Sequence, residues 1–229
     1  MRRQLSNFVW VLVFVTLGFS SARSEVIDRI VATVNGQIIL LSDWEDSLRF
    51  EAFSTGRPLD RFTAEERKAV LDRLIDRELL REQLHAADIQ HATAEEVAQR
   101  VAEIRKQYAE AETELGWRAI LDRYRLNEDG LKRRVATELD LMRLVDARLR
   151  PTVTVDSKSI ESYYNQELLP QLRQSGAQNV PLAEVTSKIK ELLTQKKISQ
   201  LLITWLQSLR AGSQIRSEAL MNGAGSRSQ

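Results

Sequence analysis

The sequence predicts a mainly α-helical protein that carries one small β-hairpin near its N-terminus. Three observations lead there. From Ser42 onward, apolar residues recur mostly at three- to five-residue steps, the period of an amphipathic helix. The four prolines, Pro58, Pro151, Pro170 and Pro181, fall at the ends of those runs rather than inside them. Only Ile30–Val34 and Ile38–Leu41 combine β-branched and apolar residues around a turn dipeptide, Asn35-Gly36.

Asn-Gly supplies the two positive-φ positions of a type I′ turn. That turn sets Val34 opposite Gln37, Ala32 opposite Ile39 and Ile30 opposite Leu41. Both faces of the hairpin are largely apolar, so both are expected to be covered. A two-stranded hairpin is marginal alone in water, so a later segment should pack on it and add a strand.

Ser42-Asp43-Trp44-Glu45 reads as a capping box opening a helix to about Phe53, with Ser42 as N-cap. A loop runs from Ser54 to Pro58. Thr63-Ala-Glu-Glu66 opens a second helix to about Ala87, with Leu71, Leu74, Ile75, Leu79 and Leu84 on one stripe. Thr93-Ala-Glu-Glu96 opens a third. Its narrow stripe of Val97, Val101, Ile104 and Tyr108 predicts an arm with much solvent contact. Gly116 breaks the chain, and Trp117, Ile120, Leu121 and Tyr124 line a short helix. Asn127 caps the next, with Leu126 and Leu131 as a hydrophobic staple. That helix carries Val135, Leu139, Met142, Val145 and Leu149 and stops before Pro151.

Thr152–Val155 reads as an extended linker. Asp156 caps a helix through Ile160, Tyr163 and Leu168 that ends at Pro170. Gln171–Asn179 is polar. Pro181 starts the longest helix, residues 181–210, with Leu182, Val185, Ile189, Leu192, Leu193, Leu201, Leu202, Trp205, Leu206 and Leu209 as its buried side. Gln214-Ile215-Arg216 reads as a short C-terminal strand. Residues 218–229 are Gly/Ser-rich and expected to be disordered. No internal repeat is found.

Residues 1–24 have the pattern of a secretory signal: Arg2 and Arg3, then the apolar run Phe8–Phe19, then Ala22 and Ser24 as small residues before a cut at Glu25. The rival reading is an uncleaved membrane anchor. The apolar run is too short to span a bilayer, and no other run in the sequence approaches membrane length, so no stable membrane insertion is expected after cleavage. The 33 basic and 32 acidic residues nearly balance. Removing the leader leaves acids in slight excess. No charge imbalance steers the protein to nucleic acid. With no cysteine, neither a disulfide nor a thiolate site is available.

No catalytic constellation stands out, and no cofactor or small-molecule substrate is implied. His85 and His91 are the only histidines and do not share a face. No Walker loop, Gly-x-Gly-x-x-Gly or Gly-x-Ser-x-Gly motif occurs. Glu65-Glu66 and Glu95-Glu96 complement helix N-termini. Arg133-Arg134 and Lys196-Lys197 read as solvated faces rather than a phosphate track. Phe50, Phe53, Trp117 and Tyr124 read first as core. On the second reading they form, with Met142, a surface for apolar peptide segments.

Val26–Asp43 and Leu71–Leu80 resemble the N-terminal domain of SurA-type periplasmic chaperones. Val153–Tyr164 is similar to that family's segment leading out of the domain, and Pro181–Lys190 and Trp205–Arg210 to its C-terminal helix. The resemblance covers residues 25–217. It implies a multi-helix peptide-binding core of the SurA and trigger-factor kind, closed by the helix 181–210. Family members usually carry parvulin-type prolyl isomerase domains between the lead-out segment and that helix. Here too few residues separate Tyr164 from Pro181 for an independent domain. The resemblance therefore implies an ATP-independent, periplasmic holdase for unfolded envelope or outer-membrane proteins, without the enzyme. An envelope adaptor holding one folded partner is the alternative, and an isomerase with a non-standard site a second. The resemblance also implies that the Ile215 strand pairs with the hairpin.

Overall fold

The computed structural model describes residues 28–217, so the expected leader (1–24) and polar tail (218–229) lie outside the described residues. The fold is mainly α, with one three-stranded antiparallel sheet in the order β2-β1-β3. β1 (Ile30–Val34) and β2 (Gln37–Leu40) form the hairpin, and β3 (Ile215–Ser217) pairs with the free side of β1. Asn35 and Gly36 take φ of 49° and 90°, as a type I′ turn requires. Val34 faces Gln37 and Ala32 faces Ile39 as expected. Ile30 meets Leu40 instead of Leu41, because a bulge between Ile30 and Ala32 takes up one residue.

The covering helix is α2 (Ala64–His85). Its Leu71, Ile75 and Leu79 pack with Val31, Ala32, Val34 and Ile39 into one core. Coverage of the hairpin is incomplete: Ile38 remains 55% exposed. The helix after the hairpin, α1 (Leu41–Thr55), starts before the expected cap. The Asp43 carboxylate accepts the Leu40 amide at 2.9 Å, while the Ser42 hydroxyl donates to Asp28 rather than capping. The chain leaves β2 directly into the helix, so the first turn is satisfied from residues already at hand.

Thr63 and Thr93 cap as their boxes predict: each hydroxyl accepts the N3 amide, and Glu66 and Glu96 return to the cap amides. The helix after Thr93, α3 (Ala94–Arg105), has the wide solvent contact expected of it, with most of its residues exposed, but its narrow stripe is docked rather than free. Val97 and Val101 are buried in the largest core, together with Phe53, Trp117, Leu131 and Val135. A narrow stripe suffices, because the aromatic residues opposite it are large.

Gly116 does not break the chain either. It lies in the first turn of α4 (Glu114–Arg123), under the Thr113 cap. A Cβ there would fall 1.8 Å from the Glu110 carbonyl oxygen, so glycine is needed for close approach. Asn127 caps α5 (Glu128–Leu149) through the Gly130 amide at 2.7 Å. Leu126 and Leu131 both join the same core, as a staple would place them.

After Pro151 the chain forms α6 (Ser157–Tyr163), a π-helical turn over Tyr164–Leu168, and α7 (Leu169–Gln174). The helix therefore continues past Pro170, where it was expected to stop. Proline lacks the amide a regular turn needs and crowds the carbonyl four residues back; a widened turn relieves both. The Tyr164 hydroxyl donates to the Val180 carbonyl at 2.7 Å, which closes the excursion at its base.

The last helix, α8 (Leu182–Ala211), is less covered than its composition predicts. Only Ile189, Thr194 and Ile198 are buried, and Leu192, Leu201 and Ile203 are exposed. Its C-terminal third closes a smaller cluster: Leu202, Trp205, Leu206 and Leu209 pack on Leu80, Leu84, Leu141 and Leu144.

Candidate functional site

An apolar groove of about 990 Å³ opens between α5 and α8. Its floor is Leu80, Leu141, Ile198 and Leu202, with Met142 and Val145 along one wall. Asp88, Arg143, Asp146 and Gln195 provide a polar rim. A second, smaller depression of about 470 Å³, lined by Leu201, Lys197 and Val153, lies on the other flank of α8. α8 thus presents apolar side chains on both flanks. An amphipathic helix packed on a core normally hides its apolar stripe.

Local ties join the elements on either side of the groove. Arg150 makes two 3.0 Å hydrogen bonds to the Glu191 carboxylate and also bonds Asp146 on its own helix. These bonds depress the Glu191 carboxyl to about 2, chiefly through Arg150 and then Gln195. The Arg148 guanidinium lies 4.7 Å from the Trp205 ring centroid. At the opposite wall, Arg143 donates to the Gln90 carbonyl at 2.9 Å and pairs with Glu96. Asp140 receives the Ala92 amide at 2.6 Å and stands 2.8 Å from His91 Nδ1. One of the two histidines therefore ties the loop before α3 to α5. Among the described residues, no group of three or more His, Cys, Asp and Glu gathers as a metal site would.

The structure separates the five peptide-binding candidates. Met142 is 55% exposed on the groove wall. Phe53, Trp117 and Tyr124 are buried at 1%, 1% and 6%, and offer a ligand no surface in this conformation. Phe53 is the hub of an aromatic cluster: its centroid lies 5.2 Å from Tyr108, 6.1 Å from Trp117 and 5.7 Å from Tyr124. Tyr108 donates to the Phe53 carbonyl, and burial pushes its hydroxyl up to about 12. The packing of large rings outweighs their value as contacts for a partner. Phe50 is half-buried, 4.1 Å beneath the Arg134 guanidinium. Arg134 is thus not part of a solvated face, and burial lowers it to about 10.

The groove itself was missed. Periodicity places Leu202 on one long buried stripe and does not single out Ile198, and of the groove's wall it picks out only Met142 as a peptide contact. The signal available was the excess of apolar residues over what one helix face holds.

The arrangement is thus a mainly helical core, with a sheet completed by its own C-terminal strand and an apolar groove beside the last helix. The chain belongs to the SurA-like N-terminal domain family, whose model matches residues 4–145, more than half of the sequence. No match is found among curated proteins.

Proposed function

We propose that this protein is a periplasmic holdase that binds extended apolar segments of unfolded envelope proteins in the α5–α8 groove, without nucleotide and without prolyl isomerase activity. The carrying observation is α8: a long helix that borders an apolar groove of about 990 Å³ and leaves Leu192, Leu201 and Ile203 exposed along its length. Exposed apolar surface rimmed by polar groups marks an interaction site. Each apolar side chain buried contributes roughly 1.5–3 kcal/mol before ordering costs, so two or three give weak, reversible binding. Reversibility suits a protein that must release its client to fold.

Export is supported by the basic, apolar and small-residue pattern of the first 24 residues. No helix among the described residues is long and apolar enough to cross a membrane. Tyr164 and Val180, 16 residues apart, meet at the point where the family's isomerase domains would be inserted, which supports the absence of that activity.

The test measures aggregation of a urea-denatured β-barrel protein and turnover of a prolyl tetrapeptide substrate with the same preparation. Slowed aggregation with no turnover is expected. Isomerisation that scales with protein and survives repurification would refute the non-enzyme reading. Failure to slow aggregation at equimolar ratio, with tight binding to one folded envelope protein, would move the assignment to an adaptor.

A further inference from the structure

A third cleft, of about 440 Å³, lies between α1, α2 and the first half of α5, beside the exposed Ile38 of the hairpin. Its lining carries five arginines, Arg77, Arg81, Arg125, Arg133 and Arg134, against Asp43, Asp46 and Glu78. Glu78 is occupied by Arg81 at 3.0 Å, and Asp46 by Arg49. Among the described residues, Arg125 and Arg133 have no ion-pair partner.

The deepest cations are Arg77 and Arg134, whose side chains are 23% and 19% exposed. Both face one carboxylate: Glu138 Oε1 stands 3.7 Å from Arg77 Nη2 and 3.7 Å from Arg134 Nε. That is too long for a hydrogen bond to either. Arg134 Nε is buried with no hydrogen-bond partner. Two guanidiniums in a partly desolvated cleft therefore share one loosely held anion, and one strong donor goes unused. Such a donor calls for an acceptor. Arg134 cannot turn away freely, because its plane rests on Phe50.

We propose that this cleft binds a carboxylate of a polypeptide client, an Asp or Glu side chain or the chain's C-terminus, with Arg77 and Arg134 as its anion-holding pair. The proposal rests on the reading that the protein binds polypeptides, and adds a polar anchor to the apolar groove. Glu138 is the internal occupant that the ligand displaces; its side chain is 37% exposed and free to swing outward. A carboxylate fits better than a phosphate. One already occupies the position, and Asp43, Asp46 and Glu78 at the rim oppose a dianion more strongly than a monoanion. The guanidinium fork matches a carboxylate with two parallel hydrogen bonds.

The test uses fluorescence anisotropy of one labelled apolar octapeptide in four forms: amidated with an internal Gln, amidated with Glu there, free C-terminus with Gln, and free C-terminus with Glu. At low salt, a carboxylate in the preferred position should tighten binding about tenfold over the uncharged form, and the advantage should shrink as salt rises. Comparing the internal Glu with the free terminus identifies the source. Glu138→Gln removes the competing anion and should enlarge the advantage, which a merely structural Glu138 would not do. Arg134→Gln should abolish the advantage. Equal affinity of all four forms overturns the inference and leaves the polypeptide reading standing. Absence of binding by any form overturns both. If inorganic phosphate binds the cleft while carboxylates give no advantage, the carboxylate assignment fails. The wild-type comparison needs no variant, so misfolding of a mutant cannot obscure the outcome.

Discussion

Arg210 Nε stands 2.5 Å from Asp76 Oδ1, joining the last turn of α8 to the middle of α2 across 134 residues of sequence. The same guanidinium donates to the Asp72 carbonyl at 2.8 Å. Five residues further on β3 begins at Ile215, and just before it the Asn35 amide donates to the Gln214 carbonyl at 2.9 Å. The two ends of the described chain are thus one structural unit.

That unit can be tested directly. A double-mutant cycle of Arg210→Met and Asp76→Leu should give a coupling of about 1 kcal/mol, modest because the Arg210 side chain is 34% exposed. Removal of residues 213–229 should do more. It leaves β1 as an open edge, and a hairpin with unpaired backbone groups is both marginal and aggregation-prone. Truncation from Pro181 should leave a molten or aggregating product, read by dye binding and thermal melting. A truncated protein with an unchanged, sharp transition would mean that the ends fold separately.

Gly116→Ala should be costly. Its Cβ would press on the backbone oxygen of Glu110 at 1.8 Å, and backbone cannot swing aside as a side-chain tip can. Overpacking of this kind costs about 1–3 kcal/mol, and this case belongs at the upper end. Gly36→Ala meets open space and bears only the strain of φ = 90°, about 1–2 kcal/mol. Denaturant midpoints should rank Gly116→Ala below Gly36→Ala; the reverse order would contradict the close approach.

The Glu191–Arg150 contact predicts an acid-sensitive link between α8 and the end of α5. The Glu191 carboxyl is held at about 2, below its ordinary 4.5. A depressed carboxylate contributes its stability above the unfolded value, and loses it as pH falls from about 4.5 through about 2. NMR titration should place the Glu191 midpoint near 2 in the native protein and near the ordinary value in Arg150→Ala. The melting-temperature difference between wild type and Glu191→Gln should shrink as pH falls below about 4.5 and vanish only below about 2. A Glu191 midpoint at its ordinary value in the wild type would remove the contact from solution.

The Tyr164–Val180 closure makes the excursion between them a point of insertion. A small, independently folding domain placed after Gly176 with flexible linkers should leave the melting temperature nearly unchanged. Each doubling of a closed loop costs only about 0.6 kcal/mol, and the base remains tied by the tyrosine hydroxyl. The same insertion between Gly36 and Gln37 should abolish folding, because that turn sets the strand register. If the Gly176 insertion unfolds the protein, the excursion contributes packing that the closure does not reveal.

Much of this molecule is legible in its residues, and the boundary is physical. Asn35-Gly36, Thr63–Glu66, Thr93–Glu96 and Asn127 act within a few residues of themselves, through φ preferences and short hydrogen bonds, so the sequence determines the turn and these helix starts. It also determines that the hairpin needs a third strand, since an apolar hairpin cannot stand alone. Only the tertiary structure decides what depends on distant neighbours. Whether Phe53 and Trp117 are buried or Met142 exposed follows from which helices meet them. Whether Gly116 breaks a helix or admits a carbonyl follows from where Glu110 lies. The fate of Arg134 follows from Phe50, and the groove from how far α8 stands from α5. A helix's period reveals which residues share a face; the partner that covers that face, or leaves it open, is supplied by chain far away in sequence.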